Sequence, residues 1–242
     1  MSGNRRGSTP SDEPRDVIKY TLLHLHPEWR RLPPSARAEG RSAFLRVLEH
    51  GPPDLLLRTY SLVGTKARAE MLLWMISPDL EQIQQWHARL FGTEMGGYLE
   101  TRYSYLGMAR RSEYLGEHAH AGQEGGSSQR RPADLPYLFL YPFIKRRDWY
   151  NLPFEERRRM MGEHFRIGHK YPNVLIHTAY SFGLDDMEFI LSFESDSPAE
   201  FLDLVSDLRP TEASRYTQLE TPIFTALRVH PKRMIELAEG IP

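Results

Sequence analysis

The 242-residue sequence contains no cysteine. This absence excludes disulfide bonds, thiolate metal ligands and cysteine nucleophiles, and it fits a reducing compartment. The sequence also lacks any apolar run close to the roughly 20 residues that a membrane-spanning helix requires. Its acidic and basic residues nearly cancel, at a formal net charge of −1, so charge gives no reason to expect nucleic acid or an anionic membrane as a partner. We therefore expect a cytoplasmic protein without a membrane span.

The composition that remains is that of a protein with a sizeable core. Hydrophobic residues make up 40% of the chain and aromatic residues 11%, which at this length allows one large domain or two small ones. Residues 1–16 are polar and lack the apolar stretch of a secretion signal, which predicts a disordered tail. Residues 116–134 are rich in Gly and Ser and predict a flexible linker between an N-terminal half, 17–115, and a C-terminal half, 135–242.

The two halves repeat a common pattern at an offset of 120 residues. The matching pairs are Trp29 with Trp149, Leu32 with Leu152, Pro33 with Pro153, Tyr60 with Tyr180, and Ser61 with Ser181. An apolar strand and a helix start follow in each half. There, Ser77-Pro78 and Ser197-Pro198 predict an N-cap followed by proline at the first helical position. The order strand, helix, two strands, helix is that of a ferredoxin-like half.

These halves predict the fold class. A short closing strand is predicted at Ile223–Val229. A sheet with helices on one face leaves its other face uncovered, so we expect the two sheets to pack against each other. The predicted fold is α+β, with duplicated ferredoxin-like halves that form a dimeric α+β barrel within one chain.

One position distinguishes the halves. His164 corresponds to Phe44, since 164 − 44 equals 120. Met160 and Ile167 lie four and three residues from His164 on the predicted helix, so they share its apolar face. The first interpretation is a buried histidine satisfied by a hydrogen bond. The second is an axial ligand to haem iron, which requires a neutral imidazole that projects from a rigid helix into an apolar pocket.

The strand "YLFLYPFIKRR" leads into that helix and carries aromatic side chains. Alternation places five residues on one face: Tyr137, Phe139, Tyr141, Phe143 and Lys145. At roughly 3.3 Å per residue, Tyr141 and Lys145 stand about 13 Å apart, a spacing that suits a large flat anion. The alternative is an edge strand with a protective lysine.

Several stretches together resemble the chlorite dismutase-like haem protein family, and most closely its coproheme decarboxylase branch. They are "YPFIKRRDWYNLPFEERRRMMGEH", "YSFGLDDMEFILSFE", "LRPTEASRY" and, in the first half, "RTYSLVGTKARAEMLLW". The likeness covers nearly everything after residue 16. It implies a duplicated ferredoxin-like barrel that usually assembles as a homopentamer.

The resemblance also implies roles for individual residues. The proximal iron ligand, and thus the metal-binding residue, falls on His164. The glutamate that holds the ring's second N–H falls on Glu212, and such a carboxylate fixes the tautomer. The radical-forming tyrosine falls on Tyr141 and its neighbouring lysine on Lys145. Ser214 falls near the porphyrin propionates.

The distal side separates the branches of the family. Chlorite dismutases carry an arginine on the strand before "GLDD". That position is Ile176 here, or His177 in an alternative alignment, so the resemblance does not favour chlorite conversion. A distal histidine at a fixed distance after a Gly-Met motif falls on His118. We favour His118 as the distal base, with His120 as a nearby substitute.

These implied roles describe one activity. It is the peroxide-dependent oxidative decarboxylation of two propionates of iron-coproporphyrin III (coproheme) to give haem b, through a tyrosyl radical, with coproheme as both substrate and redox centre. One alternative is a haem-dependent peroxidase or haem-binding protein that performs no decarboxylation. Another is a cofactor-free α+β barrel that serves as a binding module, since fold does not dictate function.

Overall fold

The protein was studied as a computed structural model that describes residues 14–114 and 132–241. Most of the predicted tail and linker, with His118 and His120, lies outside the described residues. The strands are β1 (Val17–Leu25), β2 (Leu56–Ser61), β3 (Met71–Ser77), β4 (Leu99–Met108), β5 (Tyr137–Lys145), β6 (Leu175–Tyr180), β7 (Phe189–Ser195), β8 (Thr217–Leu219) and β9 (Phe224–Arg228). The helices are α1 (Pro34–Glu49), α2 (Leu80–Phe91), α3 (Arg147–Asn151), α4 (Phe154–Gly168), α5 (Pro198–Leu208) and α6 (Pro231–Glu239).

The strands form a large antiparallel sheet, so the predicted α+β class is confirmed. Their order is β7-β6-β4-β1-β3-β2-β9-β5-β8. In addition, β5 pairs with β7, the first strand of this order. Pairing between β4 and β6 and between β2 and β9 joins the two halves. Because this joining is through backbone hydrogen bonds, the halves share one continuous sheet.

Strand β5 lies inside this sheet. It pairs with β7 along one side and with β9 and β8 along the other. Lys145 at its end is only 8% exposed. The alternative of an edge strand with a protective lysine is therefore wrong.

The core has an inner and an outer layer. The inner face of the sheet is filled by large side chains that include the fully buried Tyr20, Tyr60 and Trp74. On the outer face of the first half, α1, α2 and α6 cover a dense cluster that contains the fully buried Phe44 and Trp86. Across the described ranges, no helix combines the length and apolar character needed to cross a membrane.

The predicted Ser-Pro helix start is present at α5 in the second half but not at α2 in the first half. Ser197 caps α5 by accepting a backbone N–H bond of 3.3 Å, and proline occupies the first helical position, as predicted. Ser77 is instead the last residue of β3, and Asp79 caps α2, so the prediction for Ser77 is wrong. Aspartate is at least as good an N-cap as serine, and its presence two residues later delays the helix.

Candidate functional site

A cavity of about 370 Å³ lies between the outer face of the sheet and helices α4 and α5. Its walls come from β5, β6, β7, both helices and the segment after α5, and they are largely aromatic and aliphatic. This volume is in the range of small-molecule sites. At the corresponding position of the first half, Phe44 is fully buried in a packed cluster. His164 thus lines a cavity, whereas Phe44, 120 residues earlier in the sequence, is packed in a core.

His164 projects from α4 into this cavity. Pro153 stands at the N-cap of α4 in an extended conformation, and the helix then continues unbroken past His164. Burial, and secondarily the positive charge of Lys145, lowers the pKa of the His164 imidazole to about 4. The imidazole is therefore neutral near pH 7, which is the state that binds a metal.

Tyr141, Phe143 and Lys145 occupy alternate positions of β5 and line the cavity, as the alternation predicts. The ring of Tyr141 stacks on that of Phe193, with centroids 5.8 Å apart. Burial, and then the negative charge of Glu220, raises the pKa of the Tyr141 phenol well above its ordinary value. Tyr141 therefore keeps its proton at neutral pH.

Lys145 is a buried cation with defined contacts. Its Nζ donates a 2.8 Å hydrogen bond to the carbonyl of Ala213 and lies 4.5 Å from the centroid of the Trp149 ring. Burial lowers the pKa of Lys145 to about 8, and the negative charge of Glu220 opposes this effect. The ammonium group is therefore still charged near pH 7, at the wall of the cavity.

Strand β6 turns Ile176 and His177 to opposite faces. Ile176 lines the cavity. His177 is 1% exposed, and its Nε2 lies 2.8 Å from the carboxylate of Glu194, while its ring lies 5.1 Å from that of Trp74. His177 thus belongs to the inner layer, and a ligand in the cavity would meet Ile176 instead.

The segment after α5 brings only part of its predicted residues to the cavity. Ser214 lines it and donates a 2.6 Å hydrogen bond to the carbonyl of Arg209. The carboxylate of Glu212 instead accepts a 2.8 Å hydrogen bond from Arg159 and is not among the described residues that line the cavity. A contact between Glu212 and the His164 ring therefore remains a prediction.

Sequence reasoning missed two charged residues of the cavity. Arg209 and Glu220 both line it and form an ion pair with each other. Arg209 is the second residue of the stretch "LRPTEASRY", in which the resemblance implies roles only for Glu212 and Ser214. Glu220 follows a three-residue strand, which is too short to be recognised from alternation.

The polar groups of the cavity are connected to one another. Lys145 bonds to Ala213, the next residue Ser214 bonds to Arg209, and Arg209 pairs with Glu220. An apolar cluster supplies other parts of the wall, and it includes Tyr171, Val174, Ile176, Phe193 and Leu208. The cavity therefore suits a large apolar ligand that carries negative charge along part of its edge.

Two comparisons of the sequence with known proteins give matches over most of the chain. A family model described as chlorite dismutase matches residues 35–229. The chain is 33% identical over 180 residues to a coproheme decarboxylase of Mycolicibacterium smegmatis, a match that covers 73% of this chain and 74% of that protein.

Two solved structures show the same fold. Chlorite dismutase from Candidatus Nitrospira defluvii, in complex with imidazole, superposes with a TM-score of 0.83 at 20% identity and covers 95% of this chain and 98% of its own. A haem-binding protein from Thermus thermophilus superposes with a TM-score of 0.81 at 23% identity and covers 93% of this chain and 95% of its own. The extent of the family match, together with the identity to the decarboxylase, establishes that the chain belongs to the chlorite dismutase family.

Proposed function

We propose that the protein is a peroxide-dependent coproheme decarboxylase, which converts two propionates of iron-coproporphyrin III to vinyl groups and yields haem b. The observation that carries the proposal is one cavity lined by His164, Tyr141 and Lys145. The 33% identity to a coproheme decarboxylase supports the same choice within the family.

The residues of the cavity fit an iron porphyrin. The neutral imidazole of His164 would hold the iron from α4, and the aromatic walls would contact the faces of the macrocycle. The charged ends of Lys145 and Arg209 would attract propionates, with Ser214 beside them. Ile176 would contact the opposite face of the porphyrin. Glu212, whose carboxylate accepts a hydrogen bond from Arg159, would hold the second N–H of the His164 ring.

When bound, the iron porphyrin supplies the redox chemistry that uses peroxide. Tyr141 would lose an electron and its phenolic proton, and the resulting tyrosyl radical would then take a hydrogen atom from a propionate side chain. Lys145 would orient that propionate by charge. For each propionate, one peroxide and one proton are consumed, and one vinyl group, one carbon dioxide and two waters are formed.

The remaining roles rest on the family resemblance. His118, or His120 in its place, would act as the distal base that takes a proton from peroxide, and both lie outside the described residues. We do not propose chlorite conversion, because neither Ile176 nor His177 supplies an arginine. The duplicated barrel of ferredoxin-like halves, the homopentamer and the cytoplasmic location remain predictions.

The test is mass spectrometry of the porphyrin after the protein, iron-coproporphyrin III and stoichiometric peroxide are mixed. We expect two successive mass losses, one for each propionate, and each corresponds to one carbon dioxide and two hydrogen atoms. Tyr141→Phe should bind the porphyrin and leave it intact. His164→Phe, which copies the first-half residue Phe44, should fold but lose the Soret absorption of an imidazole-bound iron.

A haem peroxidase or haem-binding protein of the same family is the second candidate, supported by the fold it shares with the haem-binding protein of Thermus thermophilus. It predicts a Soret shift on porphyrin addition without loss of carboxyl groups. A wild-type protein that gives no Soret shift would instead favour a cofactor-free binding module.

A further inference from the structure

Glu220 is the only carboxylate among the described residues that line the cavity. A carboxylate repels the propionates of a porphyrin, and the other described side chains of the wall are apolar, neutral polar or basic. Its side chain is 23% exposed, so it is not simply solvated at the surface. Because Glu220 opposes binding of the porphyrin, we expect Glu220 to have a role other than ligand binding.

The strand register places Glu220 beside Tyr141. Ile144 of β5 is paired with Leu219 of β8, and Leu140 is paired with Phe224 of β9. The connection from 220 to 223 therefore passes along β5 between these pairs, next to the stretch from Tyr141 to Phe143. Tyr141 and Glu220 line the same cavity, and the charge of Glu220 acts on the Tyr141 phenol, so the two side chains are neighbours there.

The chemistry of tyrosine oxidation requires a base at that place. A phenol that loses an electron becomes a very strong acid, so a buried tyrosine is oxidised readily only if its proton leaves together with the electron. The pKa of Tyr141 is raised by burial, so its proton is not lost beforehand. Lys145 is itself protonated near pH 7, with a pKa of about 8, and cannot take the proton.

We propose that Glu220 accepts the phenolic proton of Tyr141 when Tyr141 is oxidised. This inference rests on the proposed decarboxylase function. Arg209 pairs with Oε1 of Glu220, and we assign Oε2 as the acceptor. In the step, the Tyr141 O–H bond breaks, the proton bonds to Oε2, and one electron passes to the bound porphyrin, whose oxidising equivalent comes from peroxide.

The cycle closes without a further reactant. The Tyr141 radical regains a hydrogen atom from the propionate, and the resulting propionate radical gives up one electron to the second oxidising equivalent of the same peroxide as carbon dioxide leaves. The neutral Glu220 carboxylic acid then releases its proton to water through its exposed edge. Glu220 is a base in this step. Its charge also explains a second feature of the site, because it provides a partner for Arg209 whenever no propionate is bound.

The experiment compares wild type with Glu220→Gln, which keeps the size of the side chain and removes the base. Porphyrin binding is measured by Soret titration with iron-coproporphyrin III, and the tyrosyl radical by freeze-quench electron paramagnetic resonance after peroxide addition. We expect Glu220→Gln to bind the porphyrin at least as tightly as wild type, because a repulsive charge is gone. Its radical should form roughly 100-fold more slowly or not at all.

Two further variants separate a proton acceptor from a structural carboxylate. Added acetate should accelerate radical formation in Glu220→Ala but not in wild type, because acetate can enter the vacated volume and act as the base. Glu70→Gln is the matched control, since Glu70 is a carboxylate hydrogen-bonded to His24 with 22% side-chain exposure outside the cavity, and this variant should form the radical at the wild-type rate.

The outcomes distinguish the two proposals. Radical formation at the wild-type rate in Glu220→Gln would overturn the role of Glu220 while leaving the decarboxylase intact. Weakened porphyrin binding with no rescue by acetate would also overturn it, because Glu220 would then act only by holding Arg209. A wild-type protein that forms neither radical nor vinyl product would overturn the proposed function, and this inference with it.

Discussion

At the scale of single residues, the site depends on charges held in an apolar wall. Lys145 is 8% exposed, and its pKa of about 8 is far below the 10.5 of an unfolded lysine. Between these two values the unfolded chain keeps a proton that the folded chain has lost. Raising the pH through this range therefore favours the folded chain, and the cost of burying the ammonium group is fully present below about pH 8.

Lys145→Met tests this consequence, since it removes the titrating group. We expect the free energy of unfolding of wild type to rise by roughly 1–3 kcal/mol relative to the variant as the pH goes from about 8 to 10. The measurement is urea unfolding of the porphyrin-free protein across this range. Lys232→Met, at a side chain 70% exposed on α6, is the control and should show no such trend. Parallel pH profiles for wild type and Lys145→Met would contradict the burial of a charged amine.

At the scale of elements, strand register decides which side chains reach the ligand. The sequence left open whether Ile176 or His177 occupies the distal position, because a shift of one residue exchanges the two faces of a strand. In the structure Ile176 is paired with Phe193 across β6 and β7, and both line the cavity. His177 points inward to Glu194, which also accepts a 2.7 Å hydrogen bond from the backbone of Ala133.

His177→Phe separates stability from ligand binding. It leaves the fully buried carboxylate of Glu194 without its imidazole partner, which typically costs about 3–5 kcal/mol. We expect a large loss of unfolding free energy in urea and an unchanged Soret spectrum of the folded, porphyrin-bound protein. Ile176→Ala, one residue away, should weaken the affinity for iron-coproporphyrin III and should lower the unfolding free energy less than His177→Phe does. A changed Soret band in His177→Phe would contradict the inward orientation.

Periodicity and repetition predict elements better than they predict the site. The 120-residue offset pairs Trp29 with Trp149, and both are buried. It also pairs Pro33 with Pro153, and each stands at the N-cap of a helix. The alternation of β5 identified Tyr141 and Lys145. The sequence does not predict that Arg209 and Glu220 line the cavity. Their position depends on an irregular segment that runs back beside β5, and such a tertiary contact has no local sequence pattern. The prediction of Ser77 as an N-cap is wrong because a second capping residue, Asp79, follows it and caps α2.

At the scale of the whole molecule, the two halves differ in what fills the outer face of the sheet. Phe44 is buried in a packed cluster, whereas His164 faces a cavity. A cavity removes packing contacts, so we expect the second half to depend on the first for stability. Backbone pairing joins the halves, and α6, which follows the last strand, packs on the first half. There Glu239 accepts hydrogen bonds from Trp29 at 2.6 Å and Arg41 at 2.8 Å.

This linkage predicts that damage at α6 reaches the distant cavity. Glu239→Ala leaves the buried indole N–H of Trp29 without a partner and removes the ion pair with Arg41, so we expect a loss of about 3 kcal/mol in unfolding free energy. Because the sheet is continuous, amide hydrogen exchange should accelerate together in β1 of the first half and in β7 of the second. Glu236→Ala, on the same helix and paired within the described residues only to Lys232 and Arg233 of that helix, should change neither. Faster exchange confined to the first half would mean that the cavity is held by the second half alone, and that the two halves are separate cooperative units.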